Sequence, residues 1–331
     1  MRRRRHIYAG ALAVLLAAVS VSGSSAAPRV AAAQIQRTFV STSGSDANPC
    51  TRAAPCRNFA AAIANTLDGG EVVALDSGGY GPFAVDKSLT VAGAPGEHVA
   101  VTAFAGNAVS VDVGSSDTVV LRNLYLTGLG AERGIEFNAG GSLHVESVVA
   151  SGFTLLGLAA AGDGLRLFVV DSVFRHNHDF GLYTEGGSVT AEIEHTRADG
   201  NGNSGFAFTS DSIATVQRSA ATHNGDQGFR ITSGSQATIE DSISGENAGN
   251  GVTVSFAGSV GNLTRDVLTN NGFSGVATLE PGSLVRVGGS TAAGNAVGLN
   301  RGDGTFESYG DNFVRGNTTN TSGTITAVGK T

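Results

Sequence analysis

The chain has 331 residues, of which 48 are glycine, one is methionine, none is tryptophan and 6% are aromatic. So many small residues and so few large ones argue against a helical protein and for a turn-rich β protein of one large domain or two smaller ones. A net charge of −7, with only two lysines (Lys87 and Lys330), excludes a general nucleic-acid binder and disfavours polyanionic substrates, because an acidic field repels them unless a local basic patch overrides it.

Residues 1–33 read as a secretory signal. Arg2 to Arg5 form a basic start, Ile7 to Val21 an apolar run too short to span a bilayer, and small residues follow. Ala31-Ala32-Ala33 offers a cleavage site before Gln34, and Ser24-Ser25-Ala26 offers another. Cleavage after Ala33 removes five arginines and no acids, leaving 16 basic residues against 28 acidic ones, a charge of −12. The expected location is outside the cell, in the periplasm or on the cell surface, with no stable membrane insertion after cleavage.

Residues 34–331 then form one domain. Its first segment, 34–70, holds both cysteines, Cys50 and Cys56, in NPCTRAAPC. In an exported chain this spacing predicts a small disulfide loop, and with no other cysteine it argues against zinc. Residues 57–67 (RNFAAAIANTL) carry Phe59, Ile63 and Leu67 at helical spacing, a helix suited to cover the open end of a solenoid. Strands are expected at Glu71–Leu75, Phe83–Val91, Val99–Phe104 and Val109–Val113, in less regular first coils spanning 71–133.

From 134 to 318 the pattern becomes regular. Gly134, Gly157, Gly181, Gly205, Gly228, Gly251, Gly275 and Gly298 follow one another at 23 or 24 residues, each before Ile, Leu, Phe or Val. A period this even marks a repeat architecture. An asparagine stands shortly before most of these glycines: Asn177, Asn201, Asn224, Asn247, Asn271 and Asn295, with Asn317 continuing the series. Eight residues before each asparagine lie Val169, Ile193, Val216, Ile239, Leu263, Val287 and Tyr309. Two residues earlier come Leu167, Ala191, Ala214, Ala237, Gly261 and Val285, the alternation of a strand. A further apolar column (Val173/Phe174, Ile243, Val267/Leu268, Phe313/Val314) brings the unit to about three short strands.

Such units stack as a right-handed parallel β-helix, an all-β solenoid whose coils lie ~4.8 Å apart. The asparagines then form a ladder of stacked amides and tolerate the left-handed turn, and the glycines let the backbone turn into the next strand. The segment 319–331, with TITAVGK, is expected to close the far end.

The stretch FVSTSGSDANPCTRAAPCRNFAAAI followed by GGEVVALDSGGYGPF is similar to the leading segment of exported bacterial β-helix proteins. With the repeats, residues 39–325 resemble the pectate-lyase-like superfamily of right-handed parallel β-helix proteins. That resemblance implies the fold. It does not fix an activity, because the superfamily mixes lyases, hydrolases, epimerases and adhesins.

Chemistry could sit in one charged column. Six residues before each asparagine lie Asp171, His195, Arg218, Asp241, Arg265, Gly289 and Asp311, each followed by a small polar residue in most coils. Asp171, His195, Arg218 and Asp241 include the base and the carboxylate-neutralising cation that β-elimination on a uronate needs. The same four residues also read as a surface ladder of alternating charge. Asp171 and Asp241, three coils or ~14 Å apart, are too distant for a hydrolase pair. The Asp-Asp and His-Gly elements of pectin hydrolases are missing, as are the acidic clusters that pectate lyases use for calcium.

His176, His178, Asp179, His223, Asp226 and Glu246 offer a weaker metal alternative, and Tyr183 is a candidate outward platform for a sugar. The expectation is a non-catalytic protein associated with a polysaccharide or cell-surface glycan, with no cofactor and no metal. A polysaccharide lyase or glycoside hydrolase is the alternative.

Overall fold

The computed structural model describes residues 35–329, so the expected signal segment lies outside the described residues. The chain winds through three parallel sheets of 13, 11 and 11 strands. One coil shows the plan. Leu165–Val170 lies in the first sheet, Val173–Arg175 in the second and Leu182–Glu185 in the third, and the chain then returns to the first sheet at Val189–Glu194. Each strand pairs in parallel with its equivalent one coil away, as Val169 does with Ile193 and Phe174 with Ala198.

The interior is built from ladders. Val169, Ile193, Val216, Ile239, Leu263 and Val287 pair in succession along the first sheet, and none is more than 1% exposed. Each such side chain contributes ~1.5–3 kcal/mol by burial. The second sheet adds Phe174, Ala198, Ala221 and Leu268. The third adds Leu182, Phe206 and Phe229, the two phenylalanine rings stacked at 5.2 Å.

Some apolar positions depart from expectation. Ile243 faces out and is 46% exposed, while the next residue, Ser244, turns inward. The strands of the second sheet hold only three residues in this region, so the middle one faces the core and its neighbours do not. Val267 is exposed for the same reason, and Phe313, which opens the two-residue strand Phe313–Val314, is exposed as well. Tyr309 also leaves its column. Val287 pairs with Ser308 instead, because the last coil is shortened.

The helix spans Phe59–Asn65, and Leu67 already belongs to the strand Thr66–Ala74. Phe59, Ala62 and Ile63 are buried, and the Phe59 ring packs on Tyr80 and Phe83 at 5.3 and 4.8 Å over the first coil. Cys50 and Cys56 are disulfide-bonded and buried beneath the helix, with Cα atoms 4.6 Å apart. The span expected as one strand from Phe83 to Val91 is two, Phe83–Val85 and Leu89–Gly93, in different sheets. At the other end, Thr319–Ser322 and Thr326–Ala327 add outer strands to the third and first sheets, and Ile325 packs against the core.

Candidate functional site

In the regular coils two residues turn the chain from the first sheet into the second. The first of the two is left-handed in coil after coil: Asn123, Ser147, Asp171, His195, Arg218, Asp241 and Arg265 have φ between 47° and 59°, and Gly289 has φ 61°. Left-handed backbone is unfavourable for side chains other than glycine. It is held here because each N–H reaches a carbonyl of the next coil, as from Asp171 to Glu194, His195 to Gln217 and Arg218 to Glu240, at 3.1–3.2 Å. The side chains are thrown outward into solvent along this corner.

Those side chains engage one another. Arg218 Nε donates to His195 Nε2 at 3.0 Å, and its guanidinium also pairs with Glu194. His195 Nδ1 lies 3.7 Å from Glu194 and 3.9 Å from Asp171. Arg265 grips Asp241 with two hydrogen bonds, at 2.7 and 3.0 Å, and reaches Glu240. The hydrogen bonds from Arg265 hold the Asp241 carboxyl below the usual range. Asp171, His195, Arg218 and Asp241 thus stand in the line the spacing predicts, but the lone pair His195 would use as a base faces Arg218, and Arg218 is already neutralised by Glu194. Glu194 and Glu240 were not among the expected site residues, although each is the last outward residue of its strand.

Behind this edge runs a buried polar ladder: Ser172, Thr196, Ser219, Ser242, Asp266 and Ser290 are at most 3% exposed. In the sequence they are the small polar residues that follow each member of the charged column. Asp266 is the exception in type, and burial pushes its carboxyl up to about 8.

The corner between the second and third sheets carries the asparagines. Nδ2 of Asn177 donates to Oδ1 of Asn201 at 3.0 Å, and the series continues through Asn224, Asn247, Asn271, Asn295 and Asn317 at 2.9–3.0 Å. The left-handed residue of this corner is not the asparagine but the one before it: His176, Gly200, His223, Glu246, Asn270 and Gly294. The marker glycines are not left-handed either. They are glycine because a Cβ would strike the next coil, where on Gly181 it would lie 2.6 Å from the Gly205 carbonyl oxygen.

On the outside of the same corner His223 sits between Asp199 and Glu246, at 2.9 Å from each. Its imidazole is shifted upward, chiefly by the hydrogen bond to Asp199. Burial opposes ionisation of Asp199, but hydrogen bonds from Thr222, His223 and Arg197 hold it down to about 2. Among the described residues no three His, Cys, Asp or Glu converge as metal ligands, so His176, His178, Asp179, His223, Asp226 and Glu246 are not gathered into one centre. Tyr183 stacks flat on Phe180 at 4.7 Å within a small outer apolar cluster, which takes one of its faces.

A hollow of about 270 Å³ lined by Phe168, Glu192, Glu194, Thr215 and Gln217 lies beside the charged edge, and two larger ones lie in the early coils. There the first corner lengthens to residues 94–98, between Leu89–Gly93 and Val99–Ala103. The longer loop walls two adjoining hollows of about 370 and 380 Å³ that share Pro95 and Asn123. One is lined by Glu97, His98 and Tyr125, whose rings lie 4.0 Å apart. The other is lined by Arg37, Arg52 and Arg122. Arg37 and Arg122 pair with Glu71 and Glu146, and Arg52 lies over the Phe39 ring at 5.8 Å.

Residues 133–297 match the family model described as the right handed beta helix region. No curated protein matches the sequence. Among solved structures the chain is similar to the Dettilon tailspike protein, at 12% identity, with 87% of this chain and 68% of that chain covered and a TM-score of 0.55. It is also similar to the A-module of the mannuronan C-5 epimerase AlgE6 of Azotobacter vinelandii, at 15% identity over 80% of this chain and 92% of that one, with a TM-score of 0.53. The AlgE4 A-module from the same organism gives 16% identity, 79% and 91% coverage and a TM-score of 0.52. With three parallel sheets, buried ladders and the family match over its regular coils, the chain has the right-handed parallel β-helix fold.

Proposed function

We propose that this is an exported, non-catalytic β-helix protein that associates with an extracellular or cell-surface glycan. The observation that carries the non-catalytic reading is the self-pairing of the charged column. A base must have a free lone pair facing a substrate, and a carboxylate-binding cation must have an open face. His195 gives its Nε2 to Arg218, and Arg218 gives its guanidinium to Glu194.

The choice of a glycan rests on two supports. Solved structures of the same fold include modules of mannuronan epimerases, so the fold is one that accommodates a polysaccharide. The early hollows add a His98–Tyr125 aromatic pair beside Arg122 and Asn123, polar and ring groups of the kind that hold a sugar. Export is supported by the basic-then-apolar N-terminus and by the buried disulfide.

The test is a screen of the mature protein against diverse polysaccharides, with affinity electrophoresis for binding and assays of unsaturated products and reducing ends for cleavage. Binding without cleavage, weakened by Tyr125→Ala, is the expected result. Cleavage of any polysaccharide replaces this reading with the lyase or hydrolase alternative. The absence of binding removes the glycan.

A further inference from the structure

The second residue of the corner between the first and second sheets performs two tasks in coil after coil. It accepts a hydrogen bond from a backbone N–H of the preceding coil: Val148 to Ser172 Oγ at 3.1 Å, Thr196 to Ser219 Oγ at 3.1 Å, Ser219 to Ser242 Oγ at 3.2 Å and Ser290 to Asn312 Oδ1 at 2.9 Å. It also donates to a backbone carbonyl. Ser172, Thr196, Ser219, Ser242 and Ser290 give their hydroxyl hydrogens to the carbonyls two residues back (Val170, Glu194, Gln217, Glu240 and Gly288) at 2.8–3.1 Å. Asn312 donates through Nδ2 to the Val287 carbonyl at 2.9 Å. The position therefore calls for one acceptor and one donor, which Ser, Thr and Asn all supply.

Asp266 occupies the same position at 2% exposure. Its Oδ1 accepts from the Ser242 N–H at 2.9 Å, and its own N–H continues the ladder to Ser290 Oγ at 3.0 Å. Its Oδ2 is buried without a partner. A carboxylate has no hydrogen to donate, so an ionised Asp266 would fail the second task and leave a buried charge. We propose that Asp266 is held as a neutral carboxylic acid whose Oδ2 hydroxyl replaces the ladder hydroxyl and donates to the Thr264 carbonyl, so that loss of its proton loosens the stack at this coil.

The surroundings favour that state. The charged groups of the preceding coil are Glu240 and Asp241, which raise the cost of a third negative charge. Arg265, the adjacent residue, is turned outward onto those same two acids. In the following coil the facing residues are Gly288, Gly289 and Ser290, and the guanidinium of Arg286 is engaged by Glu307 and Asn262. Gly289 N–H in turn meets the carboxylate of Asp311. Burial, opposed in part by the backbone hydrogen bonds at Ser242 and Thr264, pushes the Asp266 carboxyl up to about 8. Because the unfolded chain releases this proton near ~4 and the folded chain keeps it, stability is full below ~4 and is lost as pH rises through about 8.

The test compares the wild type with Asp266→Asn, which keeps acceptor and donor at every pH, and with Asp266→Ser, which restores the hydroxyl of the neighbouring coils. Thermal midpoints are followed from about pH 5 to about pH 9. The wild-type midpoint should fall relative to both variants by several degrees across that range. Infrared difference spectra of wild type minus variant at neutral pH should show the carbonyl band of a protonated carboxyl, and the band should vanish at the alkaline end. Parallel stability curves, or a carboxylate signal at neutral pH, overturn the proposal. Because either variant and the spectrum give independent readings, failure of one substitution to fold leaves the decision intact.

Discussion

Gly205 and Asn224 compete for the same space: a Cβ on Gly205 would lie 2.9 Å from Asn224 Nδ2 and 2.9 Å from the Gly228 carbonyl oxygen. Equivalent approaches join Gly157 to Asn177 at 2.8 Å, Gly251 to Asn271 at 2.8 Å and Gly298 to Asn317 at 2.7 Å. The glycine of one coil makes room for the asparagine of the next, so the two repeated letters are one interaction. Asn224 accepts from Asn201 and donates to the Ala198 carbonyl on one side, and donates to Asn247 on the other. Asn224→Ala should therefore cost ~3 kcal/mol by orphaning buried groups, and Gly205→Ala a similar amount through the clash. In the double variant the amide that meets the new Cβ is gone, so the two losses should sum to more than the double variant's cost. Denaturant midpoints of the four proteins measure this. A loss under ~1 kcal/mol for Asn224→Ala would remove the ladder from the account of stability.

Ile239 and Ile243 lie four residues apart and face opposite ways, at 1% and 46% exposure. Ile239→Asp buries an unpaired charge and should abolish folding. Ile243→Asp should change stability by less than ~0.5 kcal/mol. Circular dichroism and solubility of the two purified variants separate the cases. Equal damage from both would mean that the three-residue strands of the second sheet have a different register.

These two isoleucines also show what could be read from the chain. In the first sheet, strands of five or six residues give enough alternation to fix which face is inward, and the column from Val169 to Val287 follows directly. The three-residue strand Ile243–Gly245 gives none, and hydrophobicity alone misassigned Ile243. Tyr309 was misread because spacing was extrapolated into a shortened last coil. The asparagine ladder was legible because one residue type recurs. The left-handed corner residue was not, because it changes from His176 to Gly200, His223 and Glu246. Glu194 and Glu240 carry no signal of their own in the sequence, because outward acids in an acidic chain resemble ordinary solvated surface.

Asp76 should make the first coil sensitive to acid. Its carboxylate accepts from Ser41 Oγ, the Thr42 N–H and Thr42 Oγ1 at 2.8–2.9 Å, and from Tyr80, tying the loop after the first strand to the helix-packed tyrosine. Burial works against ionisation, but these donors outweigh it and hold the carboxyl down to about 2. A depressed folded value means the stabilisation is present above the unfolded value of ~3.9 and is lost as pH falls through about 2. Asp76→Asn should accordingly melt below the wild type at neutral pH, with the gap closing toward about pH 2. Thermal midpoints of both proteins across that range provide the check, and a gap independent of pH would show that the carboxylate charge is not what matters.

The last expectation concerns the charged edge. Asp171, His195, Arg218 and Asp241 are between 41% and 63% exposed at their side chains, and exposed ion pairs of this kind contribute ~0–1 kcal/mol. Their backbone is left-handed whatever side chain they carry, since the hydrogen bonds that impose it come from main-chain groups. Alanine at His195 or Arg218 should then leave the coil folded, shift stability by less than ~1 kcal/mol and leave glycan binding unchanged. Removing Glu194 gives the sharper comparison. Glu194→Gln frees Arg218 from its neutralising partner and exposes a cation beside His195, the arrangement a uronate site would need. If the wild type cleaves no polysaccharide and Glu194→Gln cleaves none either, the edge is structural in both charge states. If the wild type does cleave one, and His195→Ala or Arg218→Ala abolishes cleavage while the circular dichroism spectrum and thermal midpoint stay in place, those two residues are catalytic and the self-paired geometry must open on substrate binding.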